Sequence, residues 1–209
     1  FLVFSLSMYL LEDFRTTRSK KILFIPLLVL LLANMHPGYI VCILLLSLYL
    51  LGEGIVLIRR KGPVDKGFKL LLGVWIASLV LSFFNPNGFS VFGLMLSLGE
   101  QAKGIVEFFP PFYAYTHYFS SVHYTYIGFL LLSLLTLCYI RKIGIVHVLV
   151  LLTFTIMSLM SLRYLIFYMC AAAPIIARDI LYVSEGKYLN GFFRGLQKRE
   201  GLLYGLAFV

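Results

Sequence analysis

Arg163 opens an apolar helix, in the run Ser161, Leu162, Arg163, Tyr164, Leu165. A guanidinium presents a planar fork of donors that matches a phosphate, so one reading is a phosphate clamp. The other is a long side chain snorkelling to a lipid headgroup. His36 and Asn34 lie in the stretch Ala33, Asn34, Met35, His36, Pro37, Gly38. Pro37 disfavours a helical conformation at His36, and Pro with Gly makes a turn. The imidazole and the amide exceed what a turn requires, and polar side chains beside long apolar runs are costly. Asn85 begins Asn85, Pro86, Asn87, Gly88, a helix stop and turn by its dipeptides. Glu107 precedes Phe108, Phe109, Pro110 and Pro111, then Tyr113, Tyr115, His117, Tyr118, His123, Tyr124 and Tyr126. Aromatic platforms beside a carboxylate suit a sugar, and they suit lipid headgroups as well. The same aromatics would serve as an interfacial belt.

Other groups carry less. Glu53 is expected to pair with Arg59 and Arg60, a turn and a half along the same run, and His147 is expected at an interface. Cys42, Cys138 and Cys170 sit singly inside apolar runs. They read as small apolar fillers, with no metal or disulfide spacing. The chain has no phosphate-binding Gly-rich loop, no dinucleotide fingerprint, no His-Glu-x-x-His and no nucleophile elbow.

The elements that must position these residues are helices. Hydrophobic residues make up 61% of the chain and charged residues 13%, and mean hydropathy is strongly positive. A soluble domain is roughly half apolar and a quarter charged. A helix needs roughly 20 apolar residues to cross a bilayer. The apolar runs predict spans or part-spans at 1–11, 22–33, 38–58, 68–84, 118–140, 143–160 and 163–178, with another starting at Gly201. The 22–33 run is too short to cross alone and is expected to tilt or to stop at a cavity. The 143–178 stretch is too long for one crossing, so a break is expected near 160–163, although no Gly, Pro or Asn marks it. The expected fold class is all-α. It is a polytopic transmembrane helical bundle of about seven to eight spans or part-spans, with an outer interfacial helix at 89–104. That run is weakly amphipathic, with Phe89, Phe92, Met95 and Leu96 on one face and Ser90, Ser97, Glu100, Gln101 and Gly104 roughly opposite. Residues 1–209 read as a single transmembrane domain with a basic cytoplasmic segment at 179–200. The chain begins with Phe1 inside an apolar run and is expected to be a piece of a longer protein.

Charge orients the spans. Sixteen of the 18 Lys and Arg fall on one side if the spans alternate. They are Arg15, Arg18, Lys20 and Lys21; Arg59, Arg60, Lys61, Lys66 and Lys69; Arg141 and Lys142; and Arg178, Lys187, Arg194, Lys198 and Arg199. Only Lys103 and Arg163 fall on the other. Basic short loops stay cytoplasmic, which places His36, Asn34, Asn85, Glu107 and Arg163 together outside. The net charge of +9 is then accounted for by anionic headgroups, and no nucleic-acid partner is expected. The expected location is the inner (plasma) membrane, multi-pass, with membrane lipids as partners.

The ordered set of Ala-Asn-x-His-x-Gly, Asn-Pro-x-Gly, Glu-aromatic-x-Pro-Pro and an Arg-led helix ending in Ala171, Ala172, Ala173, Pro174 covers about 33–174. In order and spacing it resembles bacterial multi-spanning glycosyltransferases of the GT-C type. It departs from that pattern at Leu32, Pro37, Asn87 and Phe108, which are turn and interface positions. The resemblance implies transfer of a sugar from a polyprenyl-phosphate donor to an acceptor on the outer face. It implies a catalytic carboxylate in a first outer loop, upstream of Phe1, and leaves open whether a divalent metal takes part. Arg163 would steady the donor phosphate, and Glu107 or His36 would contact sugar or acceptor hydroxyls. Asn34 and Asn85 complete the candidate substrate-binding set. The alternative is a transporter or flippase-like protein whose broken helices at 34–38 and 85–88 form a midplane site.

Overall fold

The structure is a computed structural model, and it describes residues 1–86, 88, 90, 105–113, 121–138 and 144–184. Among these it is all-helical, with no strand. Helix α1 runs Leu2–Thr17 and buries Phe4, Met8, Leu11 and Phe14, one stripe at three- and four-residue spacing. It ends where Arg18 turns left-handed (φ 55°) and returns its N–H to the Phe14 carbonyl. A 3-10 turn at Lys20–Phe24 reverses the chain into α2, Ile25–Met35, which has Pro26 in its first turn. His36 ends α2 in an extended conformation (φ −161°, ψ 137°), as Pro37 after it favours. Helix α3 is Tyr39–Arg60 and α4 is Lys66–Ser82. Asp65 caps α4 by accepting the Phe68 N–H at 2.6 Å. Helices α5 (Ser121–Cys138), α6 (Ile145–Met160) and α7 (Leu165–Ser184, with Pro174 inside) follow.

These helices pack α2 on α4, α3 on α4 and α6, and α7 on both α5 and α6. The centre is aromatic. Phe4 of α1 meets Phe154 of α6 and Phe167 of α7 with ring centroids 5.3 and 5.1 Å apart. Tyr126 and Tyr168 are buried edge to face at 5.9 Å. Their hydroxyls bond Ser158 at 3.1 Å and Ser133 at 2.6 Å, so α5 is held by hydroxyl pairs as well as by packing. Outward faces are apolar too: Leu27, Leu31, Leu51, Val80, Leu131, Leu135 and Ile156 are all exposed.

The expected spans find helices whose ends differ by a few residues, with one substantive correction. Residues 12–17 were expected as loop and instead complete α1, because Glu12 and Arg15 find partners on α3 and α6 rather than in water. The break near 160–163 is made by Ser161, which is extended (φ −157°, ψ 135°) and whose hydroxyl accepts the Arg163 N–H. Among the described residues one helix, Tyr39–Arg60, is long and apolar enough to cross a membrane. The helix expected at 89–104, apart from Ser90, lies outside the described residues, as do Lys103, Asn87, the Arg141–Lys142 pair, the tail beyond Ser184 and the run from Gly201.

Candidate functional site

The helices alternate in direction, so their ends form two faces. One face holds Arg15, Arg18, Lys20, Lys21, the 59–69 loop and Arg178. On the opposite face Arg163 is the one Lys or Arg among the described residues.

Arg163 is positioned by Ser161. The Ser161 hydroxyl donates to the Glu107 carbonyl at 2.8 Å, and the Leu162 N–H donates to the Phe109 carbonyl at 3.0 Å. These two bonds strap the 105–109 segment across the end of α6. They seat the Phe108 ring 5.2 Å from the Arg163 guanidinium carbon, within cation–π range. No carboxylate among the described residues pairs with Arg163. Across from it, His36 accepts the Gly38 N–H on Nδ1 at 2.8 Å. A Cβ on Gly38 would stand 2.8 Å from that nitrogen, so glycine is what lets the ring lie there.

His36, Arg163, Tyr164 and Phe108 line one cavity of ≈ 170 Å³. Its remaining walls are apolar, with Leu44 of α3, Met157 of α6 and Phe167 of α7 among them. The other three predicted residues stand elsewhere. Asn34 donates to the Leu30 and Phe84 carbonyls at 2.9 Å each, tying the end of α2 to the end of α4. Asn85 donates to the Ser82 carbonyl at 2.7 Å. Glu107 contributes its backbone carbonyl to the strap, and its side chain is exposed. No residue of 22–33 lines the cavity.

Sequence reasoning missed a network at the basic face. Glu53 pairs with Arg15 at 3.0 Å and Arg18 at 3.7 Å, not with Arg59 and Arg60. A neighbouring helix lies closer than seven residues along its own, about 10 Å. His147 is buried rather than interfacial. Its Nε2 lies 2.7 Å from Glu12 Oε1, and Arg15 and Arg178 approach its ring nitrogens at 2.7 and 2.6 Å. The Tyr49 hydroxyl donates to the same Glu12 oxygen. Glu12 lies just beyond the 1–11 apolar run. Burial alone would raise its pKa, but the hydrogen bond and charge of His147, the Tyr49 hydroxyl and Arg15 outweigh that. Together they lower it from 4.5 to about 2. The available signal was depth: Glu12, Glu53, His147 and Arg178 each stand near the basic ends of their runs, where unpaired charge is costly.

Among the described residues no group of three or more His, Cys, Asp or Glu side chains could hold a metal ion. The free cysteines are Cys42, which is buried, Cys170, which is half-buried, and Cys138, which is exposed. No protein family, curated protein or solved structure matches this chain.

Proposed function

We propose that this chain is a multi-pass membrane domain of a glycosyltransferase, and that its cavity receives the phosphate of a polyprenyl-phosphate-linked sugar at the outer face of the inner membrane. The observation that carries this reading is Arg163. Among the described residues it is the one Lys or Arg on its face, stacked on Phe108, lining an apolar-walled cavity, and paired with no described carboxylate. Such a group suits an anion attached to a hydrocarbon chain. Charge neutralisation at a phosphate leaving group lowers the barrier to its departure. We assign the exposed Glu107 carboxylate, which does not line the cavity, to sugar or acceptor hydroxyls outside it. The exposed apolar residues around the helices support lipid on all sides, and the basic face supports a cytoplasmic orientation for that end.

A transporter would hold its substrate near the middle of the bilayer. The cavity reaches along α3 only to Leu44, about 8 Å from the helix start at 1.5 Å per residue, against about 15 Å to the midplane. That depth favours chemistry at the surface.

The test compares Arg163→Lys with Arg60→Lys in native membranes carrying the protein, following transfer of labelled sugar from a polyprenyl-phosphate donor. Both variants keep the charge and hence the orientation. A compact ammonium cannot reproduce a bidentate contact, and losing a charge-assisted hydrogen bond costs about 1.5–3 kcal/mol, roughly one to two decades in rate. Arg60→Lys is expected to be silent. Full turnover and donor affinity in Arg163→Lys return that residue to headgroup anchoring.

A further inference from the structure

Resting on the phosphate reading of the cavity, we propose that His36 is a second phosphate donor, presenting Nε2–H beside Arg163, and not the general base. The Gly38 N–H points at Nδ1, so that nitrogen accepts and carries no proton. A neutral imidazole has one N–H, which is then on Nε2. A ring nitrogen with a proton cannot take one from an acceptor hydroxyl, but it can donate to a phosphate oxygen.

The backbone around the cavity leaves this task to side chains. The first amides of α3 are spent: Tyr39, Ile40 and Val41 donate to the carbonyls of His36, Pro37 and Gly38. Leu162, Arg163 and Tyr164 donate theirs to Phe109, Ser161 Oγ and Ser161 O. Neither of these helix starts offers the free N–H groups that usually bind anions there. Arg163 and His36 are therefore the cavity's charged and N–H donors, and Gly38 is the residue that sets the imidazole. Gly38 has an ordinary helical conformation (φ −61°), so an alanine is acceptable to the backbone and collides only with the His36 ring.

The experiment uses the protein in nanodiscs, titrated with farnesyl phosphate and followed by 31P NMR. Wild type is expected to saturate, and to bind inorganic phosphate more weakly because the apolar walls then go unused. His36→Ala and Gly38→Ala are each expected to weaken farnesyl phosphate about 10- to 100-fold. His36→Gln, whose amide N–H falls near the place of Nε2–H, is expected to hold most of the affinity. Nitrogen shifts of 15N-histidine protein, assigned with His36→Gln, should show the neutral His36 ring carrying its proton on Nε2. A proton on Nδ1, or wild-type affinity in both His36→Ala and Gly38→Ala while Arg163→Lys is weakened, overturns the role of His36 and leaves the phosphate reading standing. No binding to wild type overturns both. Displacement of farnesyl phosphate by phosphatidylglycerol in the disc assigns the cavity to bilayer lipids and overturns the donor-substrate reading.

Discussion

Glu12 collects donors from three other helices onto one carboxylate: Tyr49 of α3, His147 of α6 and Arg178 of α7. Its lowered pKa makes it a stability element with a defined pH window. A carboxyl whose pKa falls on folding contributes fully above its unfolded value, and that contribution fades as pH drops toward the folded value. The window here runs from 4.5 down to about 2. In detergent, thermal unfolding of the wild type should lose stability relative to Glu12→Gln as pH falls below 4.5, while the wild type stays the more stable of the two at neutral pH. Parallel curves for the two proteins across that window would remove Glu12 from the account. At this scale the sequence was a partial guide. His36 and Arg163 announced themselves because each is costly where it stands, and they do share a cavity. The partner of Glu53 was illegible, because a sequence displays neighbours along one helix and conceals those brought by another.

Helix ends were the most legible elements, since Pro37 with Gly38 and Asn85 with Pro86 act through local backbone chemistry, and α2 ends at Met35 and α4 at Ser82. Ser161 was the exception: it breaks the helix by side-chain bonds to Arg163 N and Glu107 O, and the second of these depends on a segment far away in the chain. Contacts between helices were not legible at all. Gly52 shows why. A Cβ there would lie 2.5 Å from Val146 Cγ2 and 2.8 Å from Val146 Cα, so α3 and α6 touch backbone to backbone at that point, the close approach that small residues permit. Backbone cannot swing aside as a side-chain tip can. Gly52→Ala should therefore destabilise the protein by about 1–3 kcal/mol. Gly73 of α4 has nothing within 4 Å of its added Cβ, and Gly73→Ala should be neutral or gain about 0.5–1 kcal/mol from helix propensity. Detergent melting of both variants checks the pair. Equal behaviour would mean that α3 and α6 do not meet at Gly52.

At the scale of the whole molecule, charge and packing speak to the same arrangement by different routes. The charge count uses only loop composition, whereas the ion pairs use geometry. Arg18 bridges Glu53 and Asp65 at 3.7 and 3.8 Å, and Arg178 reaches Glu12 at 3.4 Å. The ends of α1, α3, α4 and α7 therefore meet on one face. A slip of one span in the count would send half of those partners to opposite faces. The proposed orientation puts this face in the cytoplasm, because short basic loops resist translocation. Pro63 and Pro110 are both exposed, one in the 59–69 loop and one in the strap over the cavity. In a background with Cys42, Cys138 and Cys170 replaced by Ala, a cysteine at Pro110 should react with an impermeant maleimide on intact cells. A cysteine at Pro63 should react only after permeabilisation. The reverse pattern would invert the molecule and take the cavity, with Arg163 and His36, to the cytoplasmic side. Labelling of both positions without permeabilisation would mean that the two faces are not separated by a bilayer, and the multi-pass reading would fall with it.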